Sequence, residues 1–260
     1  MTSSVAPDPN GSAIPGTPRV PGSRDLPVPG RALAIGAHPD DIDFGCGATL
    51  AKWAARGCEV FELVLTDGSK GSWDPDADVV ELIALRRREQ RAAADRLGAA
   101  DVRFLDHVDG ELDSGLPQRE EVCRVIREVR PDVVLGHDPW KQYRLHPDHR
   151  HAGLLAVEGI VAARDPHFFP GQGLAPHRPS ALLLFEAQVT DHLEDVAGYL
   201  EAKLEALLCH ESQWASTMAI STDPESERKA FEARVREWAR TAGEPAGLAW
   251  AEPFKLVDRL

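Results

Sequence analysis

Two short stretches of this 260-residue chain carry the residues best suited to chemistry. HPDD at residues 38–41 sets His38 beside two adjacent carboxylates, Asp40 and Asp41. LHPDHR at residues 145–150 brings His146, Asp148 and His149 together. The stretches echo each other: His38 with Asp41, and His146 with His149, stand three positions apart. In a helical first turn or tight loop that spacing puts both members of a pair on one side. Adjacent carboxylates repel, and removing them from water is costly unless something pairs with them. Either the stretches are solvated turns, with Asp40 or Asp41 as a helix cap, or a cation holds them. Two imidazoles plus one carboxylate form a standard catalytic zinc set, with a fourth position left for water. Such an ion neutralises the acids and lowers the pKa of water toward ~7, leaving one acid free for other work.

The elements around these stretches favour a site. Strands are predicted over residues 31–37, 59–66, 102–105, 132–136 and 181–185, with a last one in EPFKLV. Helices are predicted over 45–56, 79–97, 119–130, 149–164, 194–210 and 227–241, and Gly57 and Gly98 close the first two. This alternation implies right-handed crossovers: an α/β, Rossmann-like, mostly parallel sheet flanked by helices on both faces. Ligands in such sheets lie outside the carboxyl ends of the strands. HPDD follows the first strand, Asp67-Gly68-Ser69 the second and His137-Asp138 the fourth. A dinucleotide-binding first turn fails on detail. Gly36, Gly45 and Gly47 miss the GxGxxG spacing, and two acids lie where a pyrophosphate would sit.

The rest of the chain bounds the reading. Residues 1–28, rich in Pro, Gly and Ser, read as a disordered or loosely attached tail before a single domain over 29–260. The net charge of −13 argues against a generic nucleic-acid or anionic-membrane binder. No apolar run is long enough to cross a bilayer. With no secretory signal and no CxxC pair among Cys46, Cys58, Cys123 and Cys209, reduced thiols and a cytoplasmic location are expected.

With its paired HPDD and HPDH motifs, the chain resembles the LmbE-like, or PIG-L, family of zinc-dependent de-N-acetylases. LRRRE (85–89) and KLEALLCHESQ (203–213) support the resemblance, which spans about residues 30–215. The resemblance implies His38, Asp41 and His149 as ligands of Zn2+, or of another divalent transition metal. It implies Asp40 as general base, His146 as acid or oxyanion-stabilising group, Asp148 as the residue orienting His146, and Arg86 in the substrate pocket. Family members often carry Glu after HPDD. Here Ile42 stands there, followed by Asp43, a departure that bears on the surroundings of the site.

Amide hydrolysis needs an activated water, a base, oxyanion stabilisation and a proton for the leaving amine, and these residue types supply all four. The implied activity is removal of an acetyl group from an N-acetyl amino sugar. Alternatives are a zinc amidase acting on another small N-acyl metabolite, and a metal-dependent sugar-binding protein without turnover. Trp140 and Tyr143, in the loop before HPDH, are candidates for stacking on a sugar ring. His210, Ser212 and Gln213 read as the close of the preceding helix, and His151 as a surface or underside group.

Overall fold

The structure, a computed structural model, describes residues 22–260. Eight strands are present among them: β1 (Ser23–Arg24), β2 (Arg31–Gly36), β3 (Glu59–Thr66), β4 (Asp101–His107), β5 (Val133–His137), β6 (Ala181–Phe185), β7 (His192–Asp195) and β8 (Ala251–Val257). The α-helices are α1 (Asp41–Ala55), α2 (Val79–Leu97), α3 (Leu116–Val129), α4 (Pro147–Arg164), α5 (Leu200–Leu208) and α6 (Pro224–Gly243). The strands form one sheet in the order β1-β7-β8-β6-β5-β2-β3-β4. Only the pairings of β8 with β6 and β7 are antiparallel. The α/β reading of the sequence therefore holds.

Alternation along the strands divides the core between the two faces. Leu33 and Ile35 of β2 pack with Val122 and Ile126 of α3 and with Leu155 and Ile160 of α4. Ala32 and Ala34 face Leu50 and Trp53 of α1 and Leu97 of α2. All five residues of β5 and all five of β6 are buried, as expected of strands covered on both sides. A third cluster joins α5 to α6 through Leu200, Leu204, Phe231 and Val235.

Three expectations change. The expected tail lies outside the described residues for 1–21, but its end is docked. Ser23 and Arg24 pair in parallel with His192 and Leu193, and Asp25 accepts a hydrogen bond from the buried Lys52 ammonium at 2.8 Å. A buried ammonium needs such a partner, and Asp25 shares it with Glu194. The helix expected over 194–210 divides into β7 and the shorter α5. Finally, α1 begins at Asp41 and α4 at Pro147, so both acid–imidazole stretches sit at helix starts. No described helix is long and apolar enough to cross a membrane.

The strand order reverses between β2 and β5. A crevice opens outside the carboxyl ends of two such strands. HPDD leaves β2 there, and His137 ends β5 there.

Candidate metal centre and active site

His38, Asp41 and His149 converge. His38 Nδ1 lies 3.2 Å from Asp41 Oδ2, His149 Nε2 lies 3.2 Å from Asp41 Oδ1, and the two nitrogens are 3.2 Å apart. A tetrahedral ion bound at ~2.0–2.1 Å holds its ligands roughly 3.3–3.4 Å from one another. The triangle is thus close to the size a small transition-metal ion needs. His137 is a fourth donor residue at this point, which the sequence marked only as a strand-end group. Its Nε2 is 3.3 Å from Asp41 Oδ2 and is buried without a hydrogen-bond partner. An orphaned buried nitrogen beside a carboxylate is a costly feature that a cation between them would relieve. Asp41, His137 and His149 form a group able to hold a metal ion, as do His38, His146 and His149, so the donors gathered here fit a metal.

The backbone of α1 builds half of this arrangement. The Asp41 carboxylate sits in the first turn of α1, where the helix dipole favours an anion, and it accepts the His38 backbone N–H at 2.7 Å. Burial alone would raise its pKa, but the His149 and His137 imidazoles hold it well below the usual carboxylate range. Asp40, immediately before the helix, has φ 99°, in the left-handed region. That conformation is uncommon for any residue but glycine, though Asp tolerates it better than most. Its N–H donates to Gln90 Oε1 at 2.8 Å, and its side chain makes no capping bond. The solvated-cap reading of HPDD therefore fails, and the carboxylate of Asp40 remains free toward the cavity.

The other half comes from α4. Pro147 starts the helix, and Asp148 and His149 follow on its first turn. Gly153, one turn beyond His149, lets α4 approach the end of β5. A Cβ there would lie 2.5 Å from the backbone oxygen of His137. On the far side of the imidazoles, Arg144 NH1 lies 3.1 Å from His137 Nδ1 and 3.1 Å from His149 Nδ1. It also pairs with Glu186 at 2.9 Å. An ion held by Nε2 of His149 and His137 leaves the proton on each Nδ1, so Arg144 then keeps Glu186 as its acceptor.

Asp148 makes a contact beyond the one expected of it. Its carboxylate, fully buried, lies 3.1 Å from His38 Nε2, with an oxygen also within 4.8 Å of a His146 ring nitrogen. It also accepts the backbone N–H groups of Gly110 at 2.6 Å and Leu112 at 3.3 Å. Asp109 adds a second carboxylate, 3.1 Å from the same His38 nitrogen. Donation of the Nε2 proton to these acids leaves the Nδ1 lone pair aimed at the ligand triangle, as supported metal-ligating histidines are arranged. Burial disfavours charge on His38, yet hydrogen bonds donated to Asp109, Asp148 and Asp41 hold its pKa well above the usual value.

His146 is the exposed member of the group. Its ring meets that of His38 edge-on at a 4.5 Å centroid distance and stacks on His149 at 5.0 Å. Burial and the charge of His38 lower its pKa, while Asp148 works the other way. Arg86 is buried beneath the two site loops. It donates to the carbonyls of Gly68 at 2.9 Å and Pro39 at 2.7 Å, and it stands 3.7 Å from Asp40 Oδ2. Burial pushes the Asp40 carboxyl up to about 6, with the Arg86 charge opposing and the Asp41 charge assisting. Arg86 thus braces the loops and tunes Asp40 while touching the cavity wall.

The cavity has a volume of about 590 Å³, within the ~300–1,000 Å³ usual for small-molecule sites. His38, Asp40, Asp41, Asp109, His146 and His149 face into it. Trp140 and Tyr143 are exposed and stand outside its lining. His151 faces Ser114, 3.1 Å away. His210 is fully buried and bonded to Asp43 Oδ2 at 2.9 Å, so it supports the start of α1 after the HPDD loop rather than closing a surface helix.

The sequence profile of the PIG-L family, described as GlcNAc-PI de-N-acetylase, matches residues 33–160. A diacetylchitobiose deacetylase of Thermococcus kodakarensis is 36% identical over 230 residues, covering 87% of this chain and 83% of that protein. The chain belongs to the PIG-L family. Another of its members, a 1D-myo-inositol 2-acetamido-2-deoxy-alpha-D-glucopyranoside deacetylase of Geodermatophilus obscurus, is 35% identical over 168 residues, 55% of this chain and 57% of that one. Among solved structures, the N,N'-diacetylchitobiose deacetylase of Pyrococcus horikoshii, complexed with an inhibitor, superposes with a TM-score of 0.80 at 31% identity. That match covers 88% of this chain and 84% of the other. The PIG-L match spans both HPDD and HPDH. Glu186, Gln213 and Trp238, which also line the cavity, lie beyond it.

Proposed function

We propose that this PIG-L protein is a zinc-dependent hydrolase that removes the acetyl group from an N-acetyl amino sugar of the N-acetylglucosaminyl type. The observation that carries the reading is the 3.2 Å triangle of His38, Asp41 and His149 donors, set at the floor of a cavity of sugar-compatible size. Zinc held by these three residues would supply a Lewis acid to polarise the amide carbonyl and acidify water.

The chain's own residues supply the rest. Asp40, uncapped and with its carboxyl pushed up to about 6, is matched to take a proton from water near neutral pH. His146 is placed to donate toward the developing oxyanion and to pass a proton to the leaving amine. Asp148 and Asp109 hold His38 in the tautomer that presents Nδ1, and Arg86 limits the rise in the Asp40 pKa. The four cysteines are unpaired, three of them buried, which supports a reducing, cytoplasmic setting.

The test is acetate release from a panel of N-acetyl sugars and N-acyl amides by chelated and zinc-restored protein. The reading expects zinc-dependent release from N-acetylglucosamine-containing substrates. Release only from non-sugar amides would transfer the activity to another N-acyl metabolite.

A further inference from the structure

Two side chains of α2 grip one peptide of the HPDD loop by its opposite edges. Arg86 donates to the Pro39 carbonyl at 2.7 Å. Gln90 Oε1 accepts the Asp40 N–H at 2.8 Å. That carbonyl and that N–H belong to the same peptide plane. Arg86 and Gln90 stand four residues apart, on one helix face, and both are buried. The plane they hold leads into the left-handed φ of 99° at Asp40. A residue other than glycine keeps such a conformation only where its surroundings over-determine it.

The Gln90 amide is itself fixed. Its Nε2 donates to Glu62 Oε2 of β3 at 2.9 Å and to Asp43 Oδ2 of α1 at 3.1 Å. Asp43 is anchored in turn by His210 at 2.9 Å. A flipped amide would set its oxygen against two carboxyl groups and its N–H2 against the Asp40 N–H. Position 90 therefore needs an acceptor and two donors in one planar group. Rotation of the Pro39–Asp40 plane would change φ at Asp40, and with it the direction of the carboxylate. Asp41 is held separately, by the first turn of α1 and the His38 N–H.

We propose that Gln90 is a positioning residue for the general base: with Arg86 it clamps the Pro39–Asp40 peptide so that the Asp40 carboxylate faces the cavity, a role that rests on the deacetylase reading.

Gln90→Met, compared with wild type in zinc content, kinetics and amide exchange, tests it. Zinc content and KM should stay near wild type, while kcat for acetate release from N-acetylglucosamine-containing substrates falls about 10- to 100-fold, the cost of a misaimed base. Placed in Asp40→Asn, the same substitution should change kcat less than about 2-fold, because the group it aims is already gone. The Asp40 amide should exchange about 10-fold faster than in wild type, with the Leu50 amide of α1 unaltered. Wild-type kcat in zinc-loaded Gln90→Met, loss of zinc, or an equal fall of kcat in both backgrounds would overturn the role and leave Gln90 a purely structural group. If wild type releases no acetate, the functional reading fails and exchange alone decides. Faster exchange at Asp40 then upholds the clamp, and unchanged exchange removes it. Where Gln90→Met does not fold, Gln90→Glu combined with Glu62→Gln takes its place, since it keeps an acceptor at position 90 and moves the amide donor to position 62. Its zinc content and kcat should lie within about 3-fold of wild type, and a larger loss of either would overturn the clamp.

Discussion

Asp148 Oδ2 stands 3.1 Å from His38 Nε2, across 110 residues of sequence. The acid of the second motif thereby fixes the imidazole of the first, the one proposed to face the metal. Its other contacts, the N–H groups of Gly110 and Leu112, require a carboxylate's acceptors. Asp148→Asn brings an N–H2 group against one of these donors and weakens the hold on the His38 tautomer. Zinc affinity should fall about 10- to 100-fold, the usual effect of losing such a support, and excess zinc should restore much of the rate. Unchanged zinc affinity with a lowered kcat would return Asp148 to the role of orienting His146.

Gly153 gives a second way to disturb the site without touching a ligand. A methyl group there would stand 2.5 Å from the backbone oxygen of His137 and 2.9 Å from the nitrogen of Pro139. Backbone on both sides gives little room to yield, so α4 must shift outward and take His149 with it. Gly153→Ala should cost about 1–3 kcal/mol of stability, the range for overpacking, and should weaken metal retention. Thermal unfolding and metal analysis check both, and an unchanged melting temperature would show that α4 moves freely over β5.

A buried acid beneath the metal loop predicts a pH dependence. Glu62 is fully buried, sharing the Gln90 amide with Asp43. Burial and the Asp43 charge hold its pKa well above the ordinary value, against the opposing Gln90 bond. The folded state then binds a proton that the unfolded state has released. Stability from this group is present below the unfolded Glu value and declines as pH rises toward the folded pKa, at up to ~1.4 kcal/mol per pH unit. Glu62→Gln should remove that decline. In the presence of a chelator, its melting temperature should exceed that of wild type increasingly as pH rises above about 5. Parallel curves for the two proteins would show that Glu62 ionises normally.

How much could be read from sequence depended on how local the determinant is. The strand ends and the two motifs were legible because periodicity and three-residue spacing are properties of neighbours. The family resemblance paired Asp148 with His146, and its contact with His38, 110 residues away in sequence, follows only from the packing of α4 against the HPDD loop. Asp109 and Glu186 enter from loops after other strands, and nothing in their own neighbourhood marks them. His137 carried one signal, its place at the end of a strand, but its approach to Asp41 depends on which strands are adjacent. Trp238 lies on the helix predicted over 227–241, where nothing in its own neighbourhood marks it as a cavity residue. β1 and β7 were missed because their pairing is long-range, and β7 lies directly before a helical leucine pattern.

The central claim divides the work of two neighbouring aspartates, and comparing Asp40→Asn with Asp41→Asn tests it most directly. Zinc content and acetate release are measured on both variants beside wild type. Asp41→Asn should lose metal, because its carboxylate is the anionic corner of the 3.2 Å triangle. Asp40→Asn should retain zinc and the fold while turnover falls about 10²–10⁴-fold, since an amide cannot accept the water proton. Wild-type turnover in zinc-loaded Asp40→Asn would contradict the account, as would loss of metal from Asp40→Asn with retention in Asp41→Asn.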